Sequence, residues 1–76
     1  MNKNDRATLT KATALIEEAK SLVEEVAEGE REKFENLSEG LQASERGQKM
    51  EEAADALEQV VESLADAIVE IENAQE

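Results

Sequence analysis

The second half of the chain carries apolar residues at a fixed interval of seven. Met50, Leu57, Leu64 and Ile71 mark the repeat, Ala53, Val60, Ala67 and Ala74 follow each by three, and Ala54, Val61 and Ile68 widen the stripe to one side. An a/d/e pattern held over more than three heptads predicts an amphipathic helix, because residues three, four and seven apart share one helix face. The first half repeats the device. Leu9, Ala12, Ile16, Ala19, Val23 and Val26 alternate steps of three and four, and Leu15 and Leu22 flank them.

The boundaries follow from caps and breakers. Helix 1 is expected over about 5–36, with Asp5 or Thr8 as its cap. It would run through Gly29, which costs about 1 kcal/mol relative to Ala inside a helix and so marks tight packing or a kink. Asn36-Leu37-Ser38-Glu39-Gly40 is the strongest turn signal, since Asn and Gly tolerate left-handed backbone and Ser bonds to nearby amides. The turn is placed at about 37–43, and helix 2 at about 44–74 with Ser44 as its N-cap and Glu45 in its first turn. Helices of about 30 residues are about 45 Å long. Equal lengths and a short connection predict an all-α, antiparallel helical hairpin. Two helices cannot cover stripes this wide, so self-association is expected, most simply as a homodimer forming a four-helix bundle, with larger helical oligomers also open.

Composition supports that need for company. Seventy-six residues form one domain near the lower limit for independent folding, and Phe34 is the only aromatic residue. The chain has no cysteine and no apolar run near 18 residues, which leads us to expect a soluble cytoplasmic protein with no membrane span. The net charge of −12 is uneven. Residues 31–49 balance Arg31, Lys33, Arg46 and Lys49 against Glu32, Glu35, Glu39 and Glu45, whereas residues 50–76 carry nine acidic groups and no basic one. Direct nucleic-acid binding, which needs a basic face, is disfavoured; attraction to basic proteins is favoured.

Catalysis is rejected at this level. There is no His, Cys or Tyr, and the pairs Glu17-Glu18, Glu24-Glu25 and Glu51-Glu52 are adjacent in sequence, so on a helix they diverge by about 100°. A di-metal carboxylate bundle would require Glu-x-x-His. No catalytic residue, metal ligand or cofactor is assigned. Two regions carry candidate binding chemistry. On helix 2, Glu51, Asp55, Glu58, Glu62 and Asp66 succeed one another at steps of three or four, continuing to Glu70. Like charges at that spacing repel by about 0.2–0.5 kcal/mol per pair. They form either a docking face for a basic partner or a decoy for DNA phosphates, against the plainer reading of a solvated face or pairing with cations of helix 1. At the turn, Phe34, Asn36, Gln42, Ser44 and Arg46 could hold an anionic small ligand such as a signalling nucleotide. The plainer reading has Phe34, Leu37 and Leu41 plugging the bundle end while Arg46 pairs with Glu32 or Glu35.

The turn segment resembles that of short acidic helical-hairpin proteins of bacteria and phages, largely uncharacterised, in which it reads aromatic-Asp-Asn-Ile/Leu-Pro-Glu-x-Leu-Gln-x-Ser-Glu-Arg. Phe34, Asn36, Leu37, Glu39, Leu41, Gln42, Ser44, Glu45 and Arg46 match; Glu35 replaces the Asp and Ser38 the Pro. The resemblance implies a phage or mobile-element setting, and no activity comes with it. The expected function is a non-enzymatic, stoichiometric binding or sequestering protein, a counter-defence factor if phage-encoded, with a basic host protein or an anionic small ligand as partner. The alternatives are a structural or regulatory oligomerisation module, whose apolar stripe pairs with helices of another protein, and an acidic mimic of DNA.

Overall fold

The computed structural model describes every residue from Met1 to Glu76 and contains three helices: α1, Lys3–Glu35; α2, Glu39–Gln42; and α3, Glu45–Ala74. The two long helices pack antiparallel, as the periodicity predicts. Their register is read from two levels. Arg31 reaches Asp55 and Glu58 near one end, and Thr10 and Thr13 stand beside Glu72 and Gln75 near the other. The helices are therefore staggered. The start of α1 projects past the end of α3, and residues 1–8 are all exposed. At the opposite end α3 projects past Glu35. The 33 residues of α1 account for about 50 Å, and the stagger extends the molecule to 57 Å, with a cross-section of 15 by 13 Å. Its radius of gyration is 17.2 Å, against about 11 Å for a compact chain of this length.

The caps differ from expectation at the start and agree at the second helix. Neither Asp5 nor Thr8 opens α1. Asn2 does, its Oδ1 accepting from the Asp5 amide at 2.7 Å, and the Thr8 hydroxyl instead donates to the Asn4 carbonyl one turn back at 3.0 Å. Asn2 precedes the apolar stripe by seven residues, and the good helix formers Lys3, Arg6 and Ala7 carry the helix back to it. α1 then runs unbroken through Gly29, where an added Cβ would meet nothing within 4 Å; that glycine is not held by close packing.

The reversal uses no left-handed residue at all. Asn36 ends α1 in right-handed backbone, its amide donating to Glu32 at 3.0 Å. Ser38 then caps the four-residue α2, its Oγ accepting from the Leu41 amide at 3.4 Å, and Ser44 caps α3 by accepting from the Gly47 amide at 3.2 Å. Two successive serine caps turn the chain in right-handed steps, so the left-handed tolerance of Asn36 and Gly40 goes unused. The turn folds back on the projecting start of α3. Gly47 lies buried there, and a Cβ on it would collide with the carbonyl oxygen of Leu41 and lie 2.6 Å from that of Gln42.

The core is thin. Its buried apolar side chains are Ala27, Ala54 and Ile68 alone. Half-buried residues extend it into a seam: Leu9, Ala12, Ile16, Lys20, Val23, Ala27, Arg31 and Phe34 on α1, and Met50, Ala54, Leu57, Val61, Leu64, Ile68 and Ile71 on α3. The positions that widen the sequence stripe of α3, Ala54, Val61 and Ile68, thus form the centre of the intrachain contact.

Candidate functional site

The seam divides the hairpin into two unlike sides by a simple positional rule. One residue along a helix is a rotation of about 100°, so the residue before each seam position stands to one side and the residue after it to the other. On α1, Leu15, Ala19, Leu22 and Val26 precede Ile16, Lys20, Val23 and Ala27; on α3, Ala53, Val60 and Ala67 precede Ala54, Val61 and Ile68. The two helices share one hand and run antiparallel, so an offset of the same sense puts both strips on the same side of the hairpin. That side is apolar and open to solvent. Leu15 and Leu22 are 60% exposed, Val26 55% and Val60 42%.

The residues after the seam give the opposite chemistry. Glu17, Glu24 and Glu28 follow Ile16, Val23 and Ala27; Glu51, Asp55, Glu58 and Glu62 follow Met50, Ala54, Leu57 and Val61. The second side is therefore acidic and is built by both helices. Glu24, Glu28 and Glu58 line one groove between the helices with Ala27 and Val61 at its floor, and Asp55, Glu58 and Glu62 line the adjoining depression on α3. Asp66, two residues before buried Ile68, points away from α1 to the outer surface of α3. Four of the five acidic residues singled out from the sequence (Glu51, Asp55, Glu58, Glu62) thus share a side with Glu24 and Glu28 of α1, which spacing along α3 does not reveal. Their signal was present: both follow a seam position by one, as the α3 carboxylates do.

One cation crosses this side. The Arg31 guanidinium donates from Nη2 to Asp55 Oδ1 at 2.5 Å and to Glu58 Oε1 at 2.9 Å, and from Nε to Glu58 Oε2 at 3.2 Å. The fork of the guanidinium matches a carboxylate in this bidentate way, which a lysine could not reproduce. The hydrogen bonds that Arg31 donates to Glu58, then to Asp55, hold it protonated more firmly than usual and outweigh the opposing loss of hydration. Glu24, Glu28, Glu51 and Glu62 form no ion pair within 4.0 Å, since the other salt bridges are the local ones Lys20–Glu17, Lys33–Glu30 and Lys49–Glu45.

The turn residues are used differently. Gln42 donates its side-chain amide to the Phe34 carbonyl at 3.1 Å, tying the turn to the end of α1. The Ser44 hydroxyl caps α3 and also donates to the Leu41 carbonyl at 2.5 Å. Phe34 is half-buried against the seam, and Asn36 is exposed at the end of α1. Arg46 is exposed, beside Ser44, Glu45 and Lys49 on one flank and a small apolar notch of Leu37, Leu41 and Met50 on the other. Of these five residues only Arg46 keeps an uncommitted charged head. The expected pairing of Arg46 with Glu32 or Glu35 does not form, and Arg31 supplies the cross-hairpin ion pair instead. The stagger is the reason: Arg46 lies on the part of α3 that extends past Glu35.

No helix is long and apolar enough to cross a membrane. The chain matches no protein-family model, and no curated protein or solved structure matches it.

Proposed function

We propose that this chain is a non-enzymatic, stoichiometric binding protein whose acidic side docks a basic protein surface. The observation that carries the reading is the convergence of Glu24, Glu28, Glu58 and Glu62 from two helices on one side, with Arg31 as its single crossing cation. A sequence under pressure for helix stability alone would interleave lysines there, because carboxylates three or four apart repel. Concentrated negative potential on a 57 Å rod speeds encounter with a basic partner and makes binding strongly salt-dependent. The commitment of Gln42 and Ser44 to capping favours a protein partner over a small anionic ligand at the turn. In a phage or mobile-element setting, which the turn resemblance implies, such a protein would sequester a host factor in the cytoplasm, a counter-defence role.

The test uses Glu24→Gln, Glu28→Gln and Glu62→Gln together, which removes three unpaired carboxylates and leaves both Arg31 partners in place. A protein captured by the wild-type chain from cells that normally contain it, then purified and titrated, should bind the triple variant at least tenfold more weakly. Its affinity for the wild type should fall steeply as salt is raised. Equal affinity of the two chains, or indifference to salt, would sink the acidic-side reading.

A further inference from the structure

The apolar side raises a separate question, whose answer stands whether or not the acidic side docks a partner. On α1 it presents Leu15, Leu22 and Val26, each more than half exposed, in a row about 17 Å long. The row beside it on α3 is low, with Ala53, Ala56 and Ser63 exposed around Val60. A wall of large side chains next to a floor of small ones leaves room for large apolar groups from outside. Both helices satisfy their own backbone along this length, so no N–H or C=O is free for a strand to pair with. An occupant must satisfy its own backbone as well, as a helix does.

The edges of this side specify the occupant's charge. Glu18 and Glu25 lie four residues before and three after Leu22, and Glu52, Asp66 and Glu70 lie three or four from Ala56, Ser63 and Ala67. Residues at those intervals are neighbours on a helix surface, so carboxylates border the strip along both helices. None of the five forms an ion pair within 4.0 Å. Between Lys11 and Arg31 the only cation of α1 is Lys20, which bonds Glu17 on the acidic side, and α3 has none after Lys49. Toward the turn the α1 row ends at the Lys33–Glu30 ion pair.

We propose that this side takes an amphipathic helix of another protein, one whose apolar stripe is flanked by lysine and arginine. Those side chains suit the edges, because their stems cover apolar surface while their heads reach outward to carboxylates. A second copy of the chain does not meet this condition. Packed in reverse, it sets the outer edge of α1 on its own counterpart; packed turn on turn, it sets the edge of α1 on that of α3. Both edges are acidic, so either arrangement gathers unpaired carboxylates in a chain of net charge −12. The same edges repel an anionic lipid surface, which an amphipathic face meets through cations.

The chain has no Trp or Tyr, so the fluorescence of a single Trp in an added peptide reports binding directly. The probes are three helical peptides of about 18 residues, long enough to cover the strip. They share a leucine stripe bearing one Trp and differ only in the residues flanking it, which are Lys, Gln or Glu. Titrated into the full chain, the Lys peptide should bind at least tenfold more tightly than the Gln peptide, and the Glu peptide should not bind.

Three variants locate the site. Leu15→Gln with Leu22→Gln should lose the Lys peptide while keeping the helical signal, since both side chains are open to solvent in the hairpin. Glu18→Gln, Glu25→Gln and Glu52→Gln together should abolish the preference for the Lys peptide over the Gln peptide. Glu24→Gln, Glu28→Gln and Glu62→Gln together remove as many charges from the acidic side and should leave that preference intact, so the two proposals fail separately. Equal binding of the three peptides by the wild type overturns the inference, as does undiminished binding of the Lys peptide by the Leu15 and Leu22 variant. A wild type that sediments at twice the 8.3 kDa chain mass, and at the single mass once Leu22 is changed to Gln, also overturns it, because a second copy then covers the strip.

Discussion

Gly47 offers the sharpest check on the turn geometry, through Gly47→Ala. The residue sits in the first turn of α3 with ordinary helical backbone, so a propensity argument alone expects alanine to help by about 0.5–1 kcal/mol. The tertiary structure reverses that sign. A Cβ there would overlap the carbonyl oxygen of Leu41 and come within 2.6 Å of the Gln42 oxygen and 2.8 Å of its carbonyl carbon. These are backbone atoms and cannot swing aside like a side-chain tip. The Leu41 oxygen moreover accepts from the Ser44 amide at 3.2 Å and from the Ser44 hydroxyl at 2.5 Å. Displacing the turn forfeits those bonds, each worth about 1 kcal/mol net, or leaves overpacking strain of about 1–3 kcal/mol. After the propensity gain is subtracted, a net loss of about 1–2 kcal/mol remains. For a chain of this size that lowers the unfolding midpoint by about 5–15 °C. The control is Gly40→Ala, also helical, where a Cβ meets nothing within 4 Å; it should hold or raise the midpoint. Both are read by circular dichroism on heating, at one protein concentration so that association does not shift the comparison. If Gly47→Ala melts at or above the wild-type temperature, the turn does not lie against α3 as described.

Two further outcomes follow from the caps and the charge pattern. Ser44→Ala removes the oxygen that accepts from the Gly47 amide, and should destabilise by about 1 kcal/mol in denaturant titration, whereas Ser44→Asn should recover most of the loss. Recovery by alanine itself would mean that the cap is idle. Added salt should raise the thermal midpoint. The succession Glu51, Asp55, Glu58, Glu62, Asp66, Glu70 makes five like-charge steps on α3, together opposing the helix by about 1–2 kcal/mol before screening, and the exposed Arg31 pairs lose less than that. A midpoint that falls with salt would show that attraction across the hairpin outweighs repulsion along it.

The candidate surfaces were legible to unequal degrees. The α3 carboxylates stand out in the sequence because their spacing is local to one helix. Glu24 and Glu28 belong with them only because α1 lies antiparallel at a particular register, which no spacing within α1 reveals. Arg31 is similar. Its place in the sequence groups it with Lys33, Arg46 and Lys49 in the charge-balanced stretch 31–49, yet rotation about α1 turns Arg31 to the carboxylates of α3 and Lys33 away from them. The turn misled for a different reason: Asn36 and Gly40 are permissive of left-handed backbone, and permission is not use.

What the sequence determined by itself was everything set by helical periodicity and local capping. That covers the two long helices, their unbroken passage through Gly29, the Ser44 cap, and a stripe too wide for one neighbour. Those properties depend on residues within a turn or two of each other, which the chain order records directly. Only the tertiary structure decided how the wide stripe is shared. It assigned Ala54, Val61 and Ile68 to the partner helix within the chain, left Leu15, Leu22, Val26 and Val60 uncovered, and placed the acidic groups of both helices on the remaining side. Heptad spacing defines a stripe's width but not which edge of it a neighbour takes. That choice rests on rotation and register between helices, which the buried Gly47, the Arg31 ion pairs and the groove shared by Ala27 and Val61 record between segments far apart in the chain.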